Sequence, residues 1–107
     1  MGRIANRVHT DQAEIARIEA LIAELPNGAH VALELDDGRH LKGIVAARPI
    51  AQLFFDPDGA EGTNAVVRVE DPALDQPEQA GWWDVWVDSI VRLRRLDPEH
   101  REQRPGG

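Results

Sequence analysis

The dipeptide Asp37-Gly38 lies between two stretches in which apolar and polar residues alternate, and no other feature of the sequence constrains the fold as strongly. Alternation with a period of two predicts half-buried strands. Asp-Gly favours a two-residue type I′ turn, because glycine adopts a positive φ without steric cost. The sequence therefore predicts a β-hairpin with strands at about residues 30–36 and 39–48. Gly43, inside the second strand, indicates a sharp bend or the close approach of another backbone.

A single helix is predicted before the hairpin, at residues 11–25. Thr10 or Asp11 is a suitable N-cap, and Glu14 follows Asp11 at the spacing of a capping box. The sequence Pro-Asn-Gly at residues 26–28 ends the helix. Apolar residues recur at helical spacing and form one stripe, which consists of Ile15, Ile18, Ile22 and Leu25, widened by Leu21. We expect this stripe to pack on the domain's own sheet.

Three further strands are predicted from the same alternation, at residues 65–70, 82–88 and 90–95. Residues 50–55 either continue the second hairpin strand or form a separate strand. Pro49 precedes them and has no N–H to donate, so it marks a bulge, a sheet edge or a strand end.

The remaining segments are polar and rich in turn-forming residues. Residues 56–64 and 71–81 are predicted to be loops. The chain of 107 residues fits one domain, which we place at residues 10–96. We expect residues 1–9 to form a loose arm and residues 97–107 to form a disordered tail.

The composition excludes several classes of protein. The chain has no cysteine, which excludes disulfides, thiolate zinc sites and a thiol nucleophile, and agrees with a reducing compartment. No apolar run approaches the roughly 18 residues of a membrane span, and the N-terminal 25 residues do not resemble a secretory leader. We therefore expect a cytoplasmic protein that does not bind a membrane.

No arrangement of residues resembles an active site. Ser89 is the only serine and lacks the pattern of a nucleophile elbow. The histidines show no metal-ligand spacing, although His30 and His40 are candidates to face each other across the hairpin. Residues 56–64 lack the glycine that an EF-hand requires at its sixth position. We expect no catalytic residues, no metal, no cofactor and no enzymatic activity.

Charge is distributed unevenly in a chain whose net charge is −7. Residues 53–91 contain nine acidic residues and a single basic one, Arg68, whereas the chain from Arg92 onward contains five arginines and three acids. A negative middle repels phosphate backbones, which disfavours nucleic acid as a general partner. Arg92, Arg94 and Arg95 are interpreted as part of a solvated strand and tail, with a local nucleic-acid contact as the alternative.

Three tryptophans lie in the strand predicted at residues 82–88. Trp83 shares a face with two valines and belongs to the predicted core, whereas Trp82 and Trp86 lie on the opposite, mixed face. We take Trp82 and Trp86 as a candidate interface, because an exposed aromatic pair is unfavourable. Cover by the chain itself is the favoured interpretation, ahead of a subunit or partner interface, and stacking on a nucleic-acid base is the third.

Residues 31–45 resemble the first motif of the Sm proteins, with a turn glycine at Gly38 and a second glycine at Gly43. Residues 87–93 lie where the second Sm motif is expected. Shorter pieces, at residues 34–38, 45–49 and 61–62, are similar to an uncharacterised bacterial protein family with a variant Sm-like fold. The resemblance implies a mainly β fold, in which an N-terminal helix precedes a strongly bent, five-stranded antiparallel Sm-like small barrel. It also implies binding rather than catalysis.

The residues with which Sm proteins contact RNA are not retained. The loop after the second strand reads Ala-Ala-Arg-Pro at residues 46–49, and the basic pair of the second motif is replaced by Asp88-Ser89. We therefore expect a protein-interaction or self-assembling module. The alternative is an RNA-binding ring, with candidate contacts at Arg48, Arg92 and Arg94. DNA is not expected as a partner.

Overall fold

The computed structural model describes residues 4–71 and 81–96, so the predictions for residues 72–80 and for the tail at 97–107 lie outside the described residues. In chain order the described elements are α1 (Gln12–Ala23), β1 (His30–Leu35), β2 (His40–Val45), β3 (Gln52–Phe55), β4 (Glu61–Asn64), β5 (Val66–Asp71), β6 (Gly81–Trp86), a 3-10 turn (Val87–Ser89) and β7 (Ile90–Arg95). Asp11 caps the helix, its side chain accepting a hydrogen bond from the Glu14 N–H.

Five strands form one antiparallel sheet in the order β6-β5-β2-β1-β7, and β3 and β4 form a separate two-stranded sheet. In the part of the chain that the structure describes, β6 pairs only with β5 and β7 only with β1. The expected bent five-stranded antiparallel sheet is therefore confirmed, but it does not close into a barrel.

The short connection between β6 and β7 requires the sheet to bend. These strands lie at opposite edges of the sheet, yet the chain from Trp86 to Ile90 spans at most about 14 Å. The edges of a flat five-stranded sheet would be about 19 Å apart, given the usual strand spacing. The sheet must therefore curl until the end of β6 comes close to the start of β7.

Gly43 lies against β5, next to the residues through which β2 pairs with it. A Cβ atom at this position would be 2.5 Å from the carbonyl oxygen of Glu70 and 2.8 Å from the Val69 Cγ1. The predicted close approach of another backbone at Gly43 is thus confirmed. The absence of a side chain allows β2 to pair with β5 at Ile44 and Val45.

The core lies between α1 and the inner face of the sheet. Ile18, Ile22 and Leu25 of the predicted helical stripe are buried there, although Leu25 follows the end of α1. The sheet supplies inward-facing residues from each of its five strands, including Val31, Leu33, Leu35, Leu41, Val45, Val67, Val69, Val85 and Ile90. Alternate positions of β1 and β2 face outward.

The turn between β1 and β2 differs from the predicted two-residue type. The Leu35 N–H donates to the Arg39 carbonyl, which leaves three residues, 36–38, in the connection. Gly38 has a φ of +91°, as expected for a three-residue hairpin that ends with a left-handed glycine. Hydrogen bonding from the Arg39 N–H lowers the pKa of Asp37 below its usual value.

Two predictions for polar segments are wrong. Residues 56–64 contain a turn but also β4, which pairs with β3, the strand that carries the buried Phe54. Residues 4–9 are not loose, because the Ala5 N–H donates to the Phe55 carbonyl and His9 exchanges two backbone hydrogen bonds with Thr63. The arm therefore extends the small sheet along both of its strands.

Substitution of Gly43 tests the close approach of β5 to β2. We expect Gly43→Ala to destabilise the fold by about 1–3 kcal/mol, because the added methyl group overlaps backbone atoms of β5. Gly81→Ala is the matched control, because a Cβ atom there has no neighbour within 4 Å. Urea unfolding measures both variants. Equal unfolding midpoints for the two variants would show that β5 does not approach Gly43 this closely.

Candidate functional site

Three strands, β7, β1 and β2, carry a cluster of basic side chains on the outer face of the sheet. In the strand register, Ala32 lies opposite both Lys42 and Arg94, and Glu34 lies opposite both His40 and Arg92. Directly opposed residues share a face, so these side chains are neighbours. They line a shallow concavity of about 410 Å³. We call this surface the basic face and define it by His40, Lys42, Arg92 and Arg94 around Ala32 and Glu34.

The basic face carries a positive charge that its own residues do not fully neutralise. Glu34 is its one acidic residue, and its Oε1 lies 3.4 Å from the Nε of Arg92. Within residues 4–71 and 81–96, neither Lys42 nor Arg94 forms an ion pair. The surface is therefore locally cationic in a chain whose net charge is −7.

The structure brings together two of the three arginines suggested as nucleic-acid contacts. Arg92 and Arg94 lie on the basic face, whereas Arg48 is exposed in the connection between β2 and β3. The backbone N–H of Arg48 donates to the Asn27 side chain. His40 lies opposite Glu34 rather than His30.

His40 and Lys42 were not predicted to lie on the same face as Arg92 and Arg94. The hairpin register could have placed the first two residues beside β1. Nothing in the sequence showed that β7 pairs with the other side of β1.

The chain itself covers part of Trp86. Its ring packs against Phe54 of β3 in an edge-to-face arrangement, with ring centroids 5.2 Å apart and an interplanar angle of 85°. The side chain is half-buried as a result. The small β3–β4 sheet therefore supplies part of the cover that this tryptophan requires.

Trp82 remains 55% exposed near the start of β6. The guanidinium carbon of Arg68 lies 3.8 Å from the centroid of its ring, and the Arg68 Nε lies 3.0 Å from the Asp84 Oδ1. The hydrogen bond to Asp84 raises the pKa of Arg68. Together, Trp82, Asp84 and Trp86 form what we call the aromatic edge.

A second polar cluster surrounds Asp88 in the 3-10 turn. The side chain of Asp88 is only 3% exposed, and its Oδ2 lies 2.8 Å from the His9 Nε2 and 3.3 Å from the Arg7 Nε. Arg7 also donates to the Asp36 Oδ2 at 2.7 Å, which raises the pKa of Arg7. Because a buried charge is costly unless it is paired, these contacts hold the arm against the turn.

A side chain of the helix, that of Arg17, attaches α1 to the backbone of the same turn. Arg17 donates to the carbonyl oxygens of Asp88 at 2.8 Å and Ile90 at 3.0 Å. The arm also passes very close to β4, where a Cβ atom at Gly62 would lie 2.9 Å from backbone atoms of His9. Asn64 is fully buried and donates to the Arg7 carbonyl.

In the sequence, Asp88 is distinguished only as part of the pair that replaces the basic pair of the second Sm motif. Its principal partner, His9, is 79 positions away in the chain, and no local pattern connects the two.

In the described ranges 4–71 and 81–96, no group of three His, Asp or Glu side chains is placed to hold a metal ion. None of the helices in this part of the chain could span a bilayer.

Comparison with known proteins assigns the chain to a family. Residues 2–96 match the model of a family described as a domain of unknown function, DUF3247. The chain belongs to this family. This member of DUF3247 has no match among curated proteins.

The fold of this DUF3247 protein is similar to that of XC5848 from Xanthomonas campestris. The crystal structure of XC5848 is described as adopting a novel variant of the Sm-like motif. The similarity has a TM-score of 0.78 at 34% sequence identity and covers 91% of this chain and all of XC5848. The resemblance to an uncharacterised bacterial family with a variant Sm-like fold is therefore confirmed.

Substitution of Asp88 tests whether its carboxylate holds the arm. We expect Asp88→Asn to lower the free energy of unfolding by about 1.5–3 kcal/mol, because hydrogen bonds to a buried charged group are lost. Faster hydrogen exchange at the Ala5 and His9 amides should accompany this loss, since both donate to the small sheet.

Asp58→Asn is the control, because it removes an acid that is exposed in the turn between β3 and β4. This control should leave the unfolding midpoint and the exchange of the arm nearly unchanged. An Asp88→Asn variant that behaves like the control would contradict the role given to the cluster.

Proposed function

We propose that this protein is a non-enzymatic module that assembles with further copies of itself, with β6 of one copy pairing with β7 of the next. The observation that carries the proposal is the presence of two edge strands of complementary character on one sheet. In the described part of the chain, β6 and β7 each have a neighbour on one side only. An exposed edge offers a row of backbone donors and acceptors to another strand.

Charge and apolar exposure differ between the two edges in a complementary way. The aromatic edge presents Trp82 and the acidic Asp84, which is already paired with Arg68 of the neighbouring strand. The β7 edge presents Arg92, beside Glu34, and Arg94, which forms no ion pair within the described residues. Val91 is 57% exposed at the start of β7 and adds an apolar contact surface. Complementary charge favours the pairing of unlike edges and disfavours the pairing of each edge with itself.

Pairing of unlike edges is a head-to-tail interaction, which produces a closed ring or an open filament according to the rotation between copies. The register of β7 with β1 shifts between Glu34 and Leu35, which leaves residues 92–95 as the regular part of the edge. A bulge of this kind limits how long a strand can be added. We favour a ring of limited size, because the sheet is already curved.

RNA binding by such a ring is the alternative, and two observations count against it. The position of the basic RNA-contacting pair is occupied by Asp88 and Ser89, and Asp88 is buried against Arg7 and His9. Arg48 lies apart from the other two candidate arginines.

We place the protein in the cytoplasm, on the ground that the chain has no cysteine.

Size-exclusion chromatography with light scattering tests the assembly over a range of concentrations. We expect the wild type to exceed the monomer mass of 11.9 kDa. Asp84→Arg and Arg94→Glu should each shift the population towards the monomer, because each places like charges at the contact. An equal mixture of the two variants should assemble again.

Arg48→Glu is the control, since it reverses an exposed charge that lies on neither edge strand. It should retain the mass of the wild type. A strict monomer at all concentrations would refute the proposal. Assembly that neither reversal weakens would refute the head-to-tail arrangement.

A further inference from the structure

We propose that the basic face binds a small, multiply charged anion of the polyphosphate type, such as the phosphate chain of a nucleotide or a short inorganic polyphosphate. The concavity of about 410 Å³ falls within the range of small-molecule sites. It lies on the outer face of β2, β1 and the edge strand β7. Arg94 of the edge strand β7 takes part in both proposals, but Lys42 and Ala32 lie on inner strands, so the inference does not require the proposed assembly.

The strand register gives this surface its shape. Lys42 and Arg94 flank Ala32 on neighbouring strands, so their Cα atoms are about 10 Å apart at ordinary strand spacing. Between these two long side chains, Ala32 presents only a methyl group. An anion that lies against Ala32 is within reach of the Lys42 ammonium group on one side and the Arg94 guanidinium group on the other.

The two flanking cations have no competing partner in the described residues. Glu34 lies beside Arg92 in the next row of the face and reduces the positive charge there. Lys42 and Arg94 form no ion pair within residues 4–71 and 81–96, so an anion would not have to displace one. A guanidinium group matches the geometry of phosphate oxygens in two parallel hydrogen bonds, and an ammonium group adds a point charge.

The surroundings limit the length of the anion. Beyond β2 the same outer face becomes acidic, with Glu70 opposite Ile44 and Asp84 opposite Arg68. A long polyanion that follows the sheet in this direction would meet these carboxylates, and the net charge of −7 opposes it further. A compact anion can instead be contained within the basic face.

Isothermal titration calorimetry with sodium tripolyphosphate at low salt tests the site. We expect one site per chain and an affinity that falls as salt rises. Lys42→Gln and Arg94→Gln should each weaken binding about tenfold, because each removes a charge-assisted hydrogen bond. Glu34→Gln should strengthen binding, since it removes the negative charge from the face.

Arg48→Gln is the matched control, because it removes an equal charge outside the basic face and should leave the affinity unchanged. A single-stranded RNA of 16 nucleotides serves as the second probe. Binding of tripolyphosphate with the expected response of the variants supports the proposal. It is overturned if tripolyphosphate does not bind at low salt, if Arg48→Gln weakens binding as much as Arg94→Gln does, or if only the RNA binds.

Discussion

The buried carboxylate of Asp88 is the interaction on which the arrangement of this protein depends. Its charge is almost removed from water and is stabilised by Arg7 and His9, so the arm must lie against the turn between β6 and β7. Arg17 binds the carbonyl oxygens of the same turn and thereby fixes α1 over the core. One short turn thus connects the arm, the helix and both ends of the curved sheet.

This arrangement is the basis of our proposal that this variant of the Sm-like fold has a role other than RNA binding. The resemblance to Sm proteins places Asp88 and Ser89 where those proteins carry a basic pair that contacts RNA. Here the side chain of Asp88 is directed inward, to Arg7 and His9 of the arm. The outer face of the sheet and its two edges remain accessible in the described residues. Charge is polarised across that face, acidic and aromatic around β6 and basic around β7 and β2. Both proposals use this polarity, one through the edges and the other through the face.

The features that could be predicted from the sequence are those with a local cause. Alternation predicted the strands of the larger sheet, Asp11 and Glu14 predicted the start of the helix, and Gly43 predicted the close approach of another backbone. The small sheet could not be predicted in the same way, because β4 is only four residues long and offers little alternation. The arm joins that sheet through backbone hydrogen bonds, which are independent of side-chain type.

The candidate sites were harder to predict because their residues meet only after folding. Arg92 and Arg94 were identified as a local basic run, but Lys42 joins them across β1, which required the strand order to be known. Trp82 and Trp86 were identified together, whereas the structure separates them into an exposed and a half-buried side chain. The burial of Asp88 depends on His9, at the opposite end of the chain.

Hydrogen exchange of the edge-strand amides, measured at increasing protein concentration, tests most directly whether the open sheet is completed by a second copy. Pairing of unlike edges predicts that outward-pointing amides at alternate residues of β6 and β7 become protected together as concentration rises, while the amides of the central strand β2 stay unchanged. If the outward amides of both edges exchange rapidly at every concentration, the sheet ends within one copy and the account of assembly is wrong.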